Sequence, residues 1–495
     1  MALSQFLILF TYFMGAYSGE VPGSINHTRH HFVNVTTNFV LEDEDFGPEV
    51  QLSRAAETAS AEACQTWLDA PNTYLELKNI YLQLGIEKKD PTTIPYLHCF
   101  LPSNATFSMK SPAQMYRYLV VNSFHPSILY YAARNALKYA LVEDNRTGHM
   151  ILAWAGSFAA EASLVGFAKT KELRFLDLYI SYFDKVLSRR DDQLARYDFY
   201  HKRVMKAWGT TELDNTTWVA FATPNARIVY TATLFNVIVR RNRSLPESYR
   251  AKANTYIAIA EETLAEFDQD WKKFTDDGSS TSRASDGTTK WMLMPMGGTF
   301  YPLRREPINH VHLIGDAWLN LWQLADNQDS KAIYKQKIMS VLQVFINSVQ
   351  KGPGGTVHWN YYPHFAKREK KELSLGLRYS ENIWKASLTC PFVVRAHRQG
   401  FKMPLWLLKA ISTTFSNIVF KENQLLRSLS PKESDYFNIT DFDLFKAPHI
   451  APLVEWSPTI AKEITTLMGN RPDVFPGAWF ACCSNRPLMA YARMM

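Results

Sequence analysis

The sequence predicts an all-α protein, and three observations carry that reading. Apolar residues recur at steps of three and four along most of the chain. The helical stretches come in pairs. Strand-like alternation is short and rare, with Phe32 to Val40 (FVNVTTNFV) its best example.

Taken in order, residues 1–18 read as a signal peptide. Phe6 to Met14 is a short apolar core, and Ala16-Tyr17-Ser18 fits a small-residue cleavage site. That core is too short to span a bilayer, and no later stretch is long and apolar enough to be a membrane segment. Seven Asn-x-Ser/Thr sequons, at Asn26, Asn34, Asn104, Asn145, Asn215, Asn242 and Asn438, agree with secretion to the extracellular space. Residues 19–60 hold two of them, the acidic run Glu42-Asp43-Glu44-Asp45 and little apolar periodicity, which predicts an extended N-terminal arm.

Residues 61–495 form the predicted helical domain. One apolar stripe is Leu173, Leu176, Ile180, Phe183 and Leu187. Others are Ile314, Ala317, Trp318 and Leu321; Ile338, Leu342, Phe345 and Val349; and Leu407, Ile411, Phe415 and Ile418. Paired helical patterns cover Ile151 to Arg189, Arg227 to Phe267, His310 to Val349 and Glu381 to Phe420, with another pair in Ala113 to Leu141. Helical hairpins that cannot bury their faces alone stack on their neighbours. The irregular spacing of the pairs and the long aromatic-rich loops favour a closed ring, an α/α toroid around a central cleft, over an open solenoid. The polar stretch Asp276 to Thr289 reads as a rim loop.

Five cysteines make no disulfide scaffold in a chain of 495 residues. Cys64 with Cys99 is one candidate pair, and Cys390 with Cys482 or Cys483 another; the odd number leaves one thiol over. No cysteine spacing resembles a metal site. The net charge of +7 lacks the interleaved basic stripe of a nucleic-acid binder and suits an anionic polysaccharide partner better.

The densest chemistry lies between Gly354 and Gly400. His358-Trp359-Asn360-Tyr361-Tyr362 is followed by the basic run Lys367 to Glu372, then by Arg378-Tyr379-Ser380-Glu381-Asn382 at a helix start. Rings stack on sugar faces and cations neutralise carboxylates, so this stretch predicts a pocket for an acidic sugar. Arg378 and Glu381, one turn apart, also suit each other as a pair.

An ordered series of motifs over roughly residues 110–400 carries a resemblance. It includes Ala153-Trp154-Ala155-Gly156-Ser157-Phe158, Lys171 to Asp177, Val186 to Asp192, Pro307-Ile308-Asn309-His310, Trp359-Asn360-Tyr361, and Arg378 with Glu381. Together they resemble secreted α/α-toroid lyases acting on uronic-acid polysaccharides, such as the glucuronan and alginate lyases. Two departures stand out. Where such proteins often carry Glu-Asp and a His one turn on, this chain has Glu381-Asn382 and Lys385, and the Pro224-Asn225-Ala226-Arg227 stretch matches poorly.

The resemblance implies β-elimination, with no metal or other cofactor. Asn309 and Arg378, with Asn225 and Arg227, are the expected neutralisers of the sugar carboxylate, on which charge builds in the transition state. His310 is the expected base, because imidazole changes charge near neutral pH. Tyr361 is the expected proton donor, with Tyr379 second; Trp359, His358, Tyr379 and Glu381 are expected to bind substrate. Three alternatives stay open: a uronyl epimerase, a non-catalytic carbohydrate-binding relative, and a glycoside hydrolase drawing on Glu161, Asp316 or Glu381.

Overall fold

A computed structural model describes residues 126–147, 149–211, 217–273, 290–292, 306–363, 380–421, 424–426, 428–430 and 447–463. The expected signal peptide, N-terminal arm, rim loop and Phe32 to Val40 strand lie outside them. Helix accounts for 69% of the described residues, so the fold is mostly helical.

The helices are α1 (Pro126–Thr147), α2 (Ser157–Thr170), α3 (Arg174–Leu187), α4 (Ala222–Arg241), α5 (Glu247–Ala265), α6 (Ile308–Leu324), α7 (Gln328–Ser348), α8 (Ile383–Arg398) and α9 (Leu405–Thr414). They pack as α2 with α3, α4 with α5, and α6 with α7, matching three of the pairs read from periodicity; α8 packs on α6 and not as a hairpin with α9, and the first half of the Ala113 to Leu141 pair lies outside the described residues. The first helix of each pair also packs on the first helix of the next, in the order α2, α4, α6, α8.

This arrangement sorts the helices into two kinds. Those in the linked series are buried on nearly every side: Ala222 to Val239 of α4 is buried throughout, as is Ile308 to Leu321 of α6. Their partners bury one face, as α3 does with Phe175, Leu176, Tyr179, Tyr182, Phe183 and Val186. The single stripe expected for α6 is thus too narrow, because α4, α7 and α8 all pack against it.

Small residues let these helices approach. Lys171 ends α2 in the left-handed conformation at φ 62°, and its N–H donates to the Phe167 carbonyl, which turns the chain sharply into α3. A Cβ at Gly166 of α2 would meet the Phe175 ring of α3 at 2.5 Å, and one at Gly315 of α6 would meet the Phe392 ring of α8 at 2.5 Å. Phe392 cannot swing away easily, since its ring stacks on His312 at 4.7 Å. Gly315→Ala is therefore expected to cost about 1–3 kcal/mol of stability in chemical denaturation. A variant with an unchanged denaturation midpoint would show that α6 and α8 separate freely.

The strands are short two-stranded ribbons between helices. They include β1 (Tyr197–Asp198) with β2 (Arg203–Val204), β3 (Gly209–Thr210) with β4 (Val219–Ala220), β5 (Trp271–Lys273) with β6 (Lys290–Met292), and β7 (Gln350–Lys351) with β8 (Val357–His358). Among the described residues, no helix is long and apolar enough to cross a membrane.

Candidate functional site

Three chain segments meet at the start of α6. The Ile308 N–H donates to the Tyr361 carbonyl at 2.9 Å, which ties the segment after β8 to the helix. Asn360 and Ser380 form an isolated antiparallel bridge, and the Glu381 N–H donates to the Trp359 carbonyl at 2.7 Å. The Leu429 N–H closes the other side on the Glu381 carbonyl at 3.0 Å. Asn382 then caps α8, its Oδ1 accepting from the Lys385 N–H at 3.1 Å. These backbone links bring His310, Tyr361, Glu381 and Lys385 together although they are far apart in sequence.

The chemistry centres on His310, which is 4% exposed. Its Nδ1 lies 2.8 Å from Glu306 Oε2, one helical turn back. A carboxylate acceptor there keeps the proton on Nδ1 and leaves the Nε2 lone pair facing Tyr361. The Tyr361 hydroxyl lies 3.5 Å from that Nε2. The Lys385 ammonium sits over the Tyr361 ring, 3.3 Å from its centroid, and so stabilises negative charge developing on the phenol. Trp154 forms a wall 6.2 Å from the imidazole; it belongs to a π-helical turn, Leu152–Gly156, that leads into α2.

Two buried groups add to the site. Asn309 is 1% exposed, and its side-chain Oδ1 has no partner among the described residues. Rotation of that amide exchanges its carbonyl and its NH2. Glu381 is 1% exposed, with one carboxyl oxygen bonded to the Asn382 N–H at 3.1 Å and the other without a partner among the described residues. Burial pushes its carboxyl up to about 7, against the opposing pull of Lys385 and the Asn382 N–H.

The raised value has a signed consequence. Between the ordinary 4.5 and about 7, the unfolded chain has released this proton while the folded chain retains it. The contribution to stability therefore falls as pH rises through that window, with a slope up to about 1.4 kcal/mol per pH unit. Glu381→Gln is expected to flatten this part of the stability curve. Parallel curves for the two proteins from pH 4.5 to 7 would rule out a protonated Glu381 in the folded state.

Other expected residues have different places. Trp359 is 0% exposed and packs edge-on against Phe345 at 5.2 Å, so its ring belongs to the core and offers no face to a sugar. Asn225 is spent as a clasp: it accepts from the Trp208 N–H at 2.7 Å and donates to the Trp208 and Phe221 carbonyls. Arg227 is 0% exposed and ion-paired to Glu161, with its guanidinium 4.1 Å from the Phe158 ring centroid. Neither residue joins the His310 cluster. His358 lies half-buried on β8. Arg378 and Tyr379 lie outside the described residues.

Glu306, absent from the sequence reading, carries a legible signal: it stands four residues before His310. Lys385 was legible only as a departure from the related pattern. Of the acids weighed for hydrolysis, Glu161 is bound to Arg227 and Asp316 pairs with Arg395 at 2.8 Å, both buried. Among the described residues, no group of three His, Cys, Asp or Glu could hold a metal ion. No family model matches the chain, and no curated protein matches it.

Proposed function

We propose that the protein is a secreted lyase that cleaves a uronic-acid polysaccharide by β-elimination, on a helical array closed as an α/α toroid. The observation that carries this reading is the Glu306–His310–Tyr361 chain, with a 3.5 Å step between His310 Nε2 and the Tyr361 hydroxyl. Elimination needs a base and an acid within reach of one sugar ring, and this pair is spaced for that. The linked series α2, α4, α6, α8 supports the toroid, and the signal-like N-terminus and seven sequons support secretion.

In this scheme His310 Nε2 takes the proton from carbon 5 of the uronate. The C5–H electrons form the C4=C5 double bond, and the bond from C4 to the glycosidic oxygen breaks. Tyr361 gives its proton to that oxygen, and Lys385 stabilises the phenolate left behind. Proton transfer from His310 back to Tyr361 restores both groups. Asn309, through its NH2, and protonated Glu381 donate hydrogen bonds to the uronate carboxyl, whose charge grows as the C5 proton leaves. No metal or other cofactor enters the scheme, and an anionic polysaccharide is the partner it requires.

Incubation with glucuronan, alginate and glycosaminoglycans tests the proposal. The expected result is rising ultraviolet absorbance from an unsaturated uronate with at least one polymer. New reducing ends without that absorbance would replace the lyase with a hydrolase.

A further inference from the structure

We infer that the β1–β2 hairpin is a distal binding surface for an anionic polysaccharide chain. The uronate class of the ligand rests on the proposed function; the surface itself rests on the following observations.

The hairpin and the turn that precedes it carry a concentration of exposed apolar groups. Leu194, Tyr197, Phe199 and Val204 are 42%, 46%, 59% and 42% exposed. Tyr197 and Phe199 project on the same side of the strand, with ring centroids 5.5 Å apart. Exposed rings grouped on one ordered element point to a contact surface, where scattered ones do not.

The element is held firmly from beneath. Asp198, between the two rings, is 0% exposed and accepts from the His201 and Ala220 N–H groups, both at 2.6 Å. The His201 ring bridges Asp198 at 3.0 Å and Asp270 at 3.1 Å. Burial opposes its charge, yet the two carboxylates hold it up to about 9, so the clamp stays ionic at neutral pH. Ala195 and Lys202 take left-handed backbone conformations at φ 51° and 55°, a cost of about 1 kcal/mol each that the clamp sustains. Rings fixed in advance lose little entropy when a ligand stacks on them.

Charge and position select the occupant. Arg203 and Lys206 are paired with Glu266 and Glu262, whereas Lys202 has no acid partner among the described residues. Arg196 lies over the Trp218 ring at 4.7 Å. Among the described residues the surface is therefore aromatic with one lysine that no acid neutralises, which fits sugar faces bearing carboxylates. It also joins the candidate site. The Phe199 N–H donates to the Trp218 carbonyl at 3.1 Å. Tyr200 and Trp154 pack on the same cluster of Met150, Val219 and Phe221, and Trp154 flanks His310. This buried cluster fastens the hairpin to the Trp154 that flanks His310.

Affinity electrophoresis in gels cast with alginate or heparan sulfate tests this, with the full chain carrying His310→Gln so that cutting is slower by about a hundredfold or more. Retardation by at least one polymer is expected. The Tyr197→Ser/Phe199→Ser pair should weaken it about tenfold. Lys202→Glu, which disturbs no packing, should weaken it as well, and added salt should shrink the difference. Short oligosaccharides should be turned over unchanged by these hairpin variants in the otherwise native chain. Unaltered retardation of both hairpin variants overturns the inference. So does binding to phosphatidylserine vesicles that is lost with Phe199→Ser while polymer retardation persists, or loss of a self-associated form in that variant. Hairpin-dependent retardation by a polymer that yields no unsaturated product would remove the lyase reading and leave this surface standing.

Discussion

Turnover is expected to fall about a hundredfold or more when His310 becomes Gln or Tyr361 becomes Phe, because acid–base groups typically contribute that much. The two residues share one proton path, His310 Nε2 to the Tyr361 hydroxyl at 3.5 Å. The double variant should therefore be scarcely slower than either single one. Tyr361→Phe keeps the ring beneath Lys385 and removes only the hydroxyl, so substrate binding should change little while kcat drops. The checks are kcat and KM on a polymer that wild type cleaves. Retention of wild-type kcat by Tyr361→Phe would remove the phenol from the chemistry. Costs that multiply in the double variant would mean that the residues act separately.

The largest stability effect is expected inside the helical array. Arg227 of α4 and Glu161 of α2 form an ion pair at side-chain exposures of 1% and 3%. The Tyr230 hydroxyl donates to the second Glu161 oxygen at 3.1 Å, and the guanidinium lies over the Phe158 and Tyr230 rings. Removing one partner leaves a charge buried without its counter-ion, so Arg227→Met or Glu161→Leu should cost about 3–5 kcal/mol in denaturant unfolding. Removing both together should cost much less than the sum, since no lone charge remains. Single variants within about 0.5 kcal/mol of wild type would mean that water reaches the pair.

These same residues show where sequence reading stops. Three of the helix pairs were legible because apolar steps of three and four report local geometry, and the linkers fall where polar clusters interrupt them. Burial on all sides of α4 and α6 was not legible, because it depends on neighbours distant in sequence. His310 and Tyr361 stand out in the sequence by their chemical types, and backbone bonds linking the α6 start, residues 359–361 and residues 380–382 bring them together. Arg227 and Asn225 misled for a related reason. A guanidinium or an amide in sequence looks equally fit for a ligand or for an internal partner, and only the fold supplied Glu161 and the Trp208 backbone. Trp359 likewise looked like a sugar platform until Phe345 covered it. The exposed pair on β1–β2 escaped notice because alternation over so few residues is a weak signal.

The most direct test of β-elimination at the His310–Tyr361 pair is mass spectrometry of the cleavage products formed in water enriched in heavy oxygen. Elimination breaks the chain without consuming water. The expected result is a set of fragments that gain no labelled oxygen, each cut leaving one unsaturated end, and all of them formed more slowly, by about a hundredfold or more, by the His310→Gln protein. Fragments that carry one labelled oxygen per cut and lack the double bond would contradict the account.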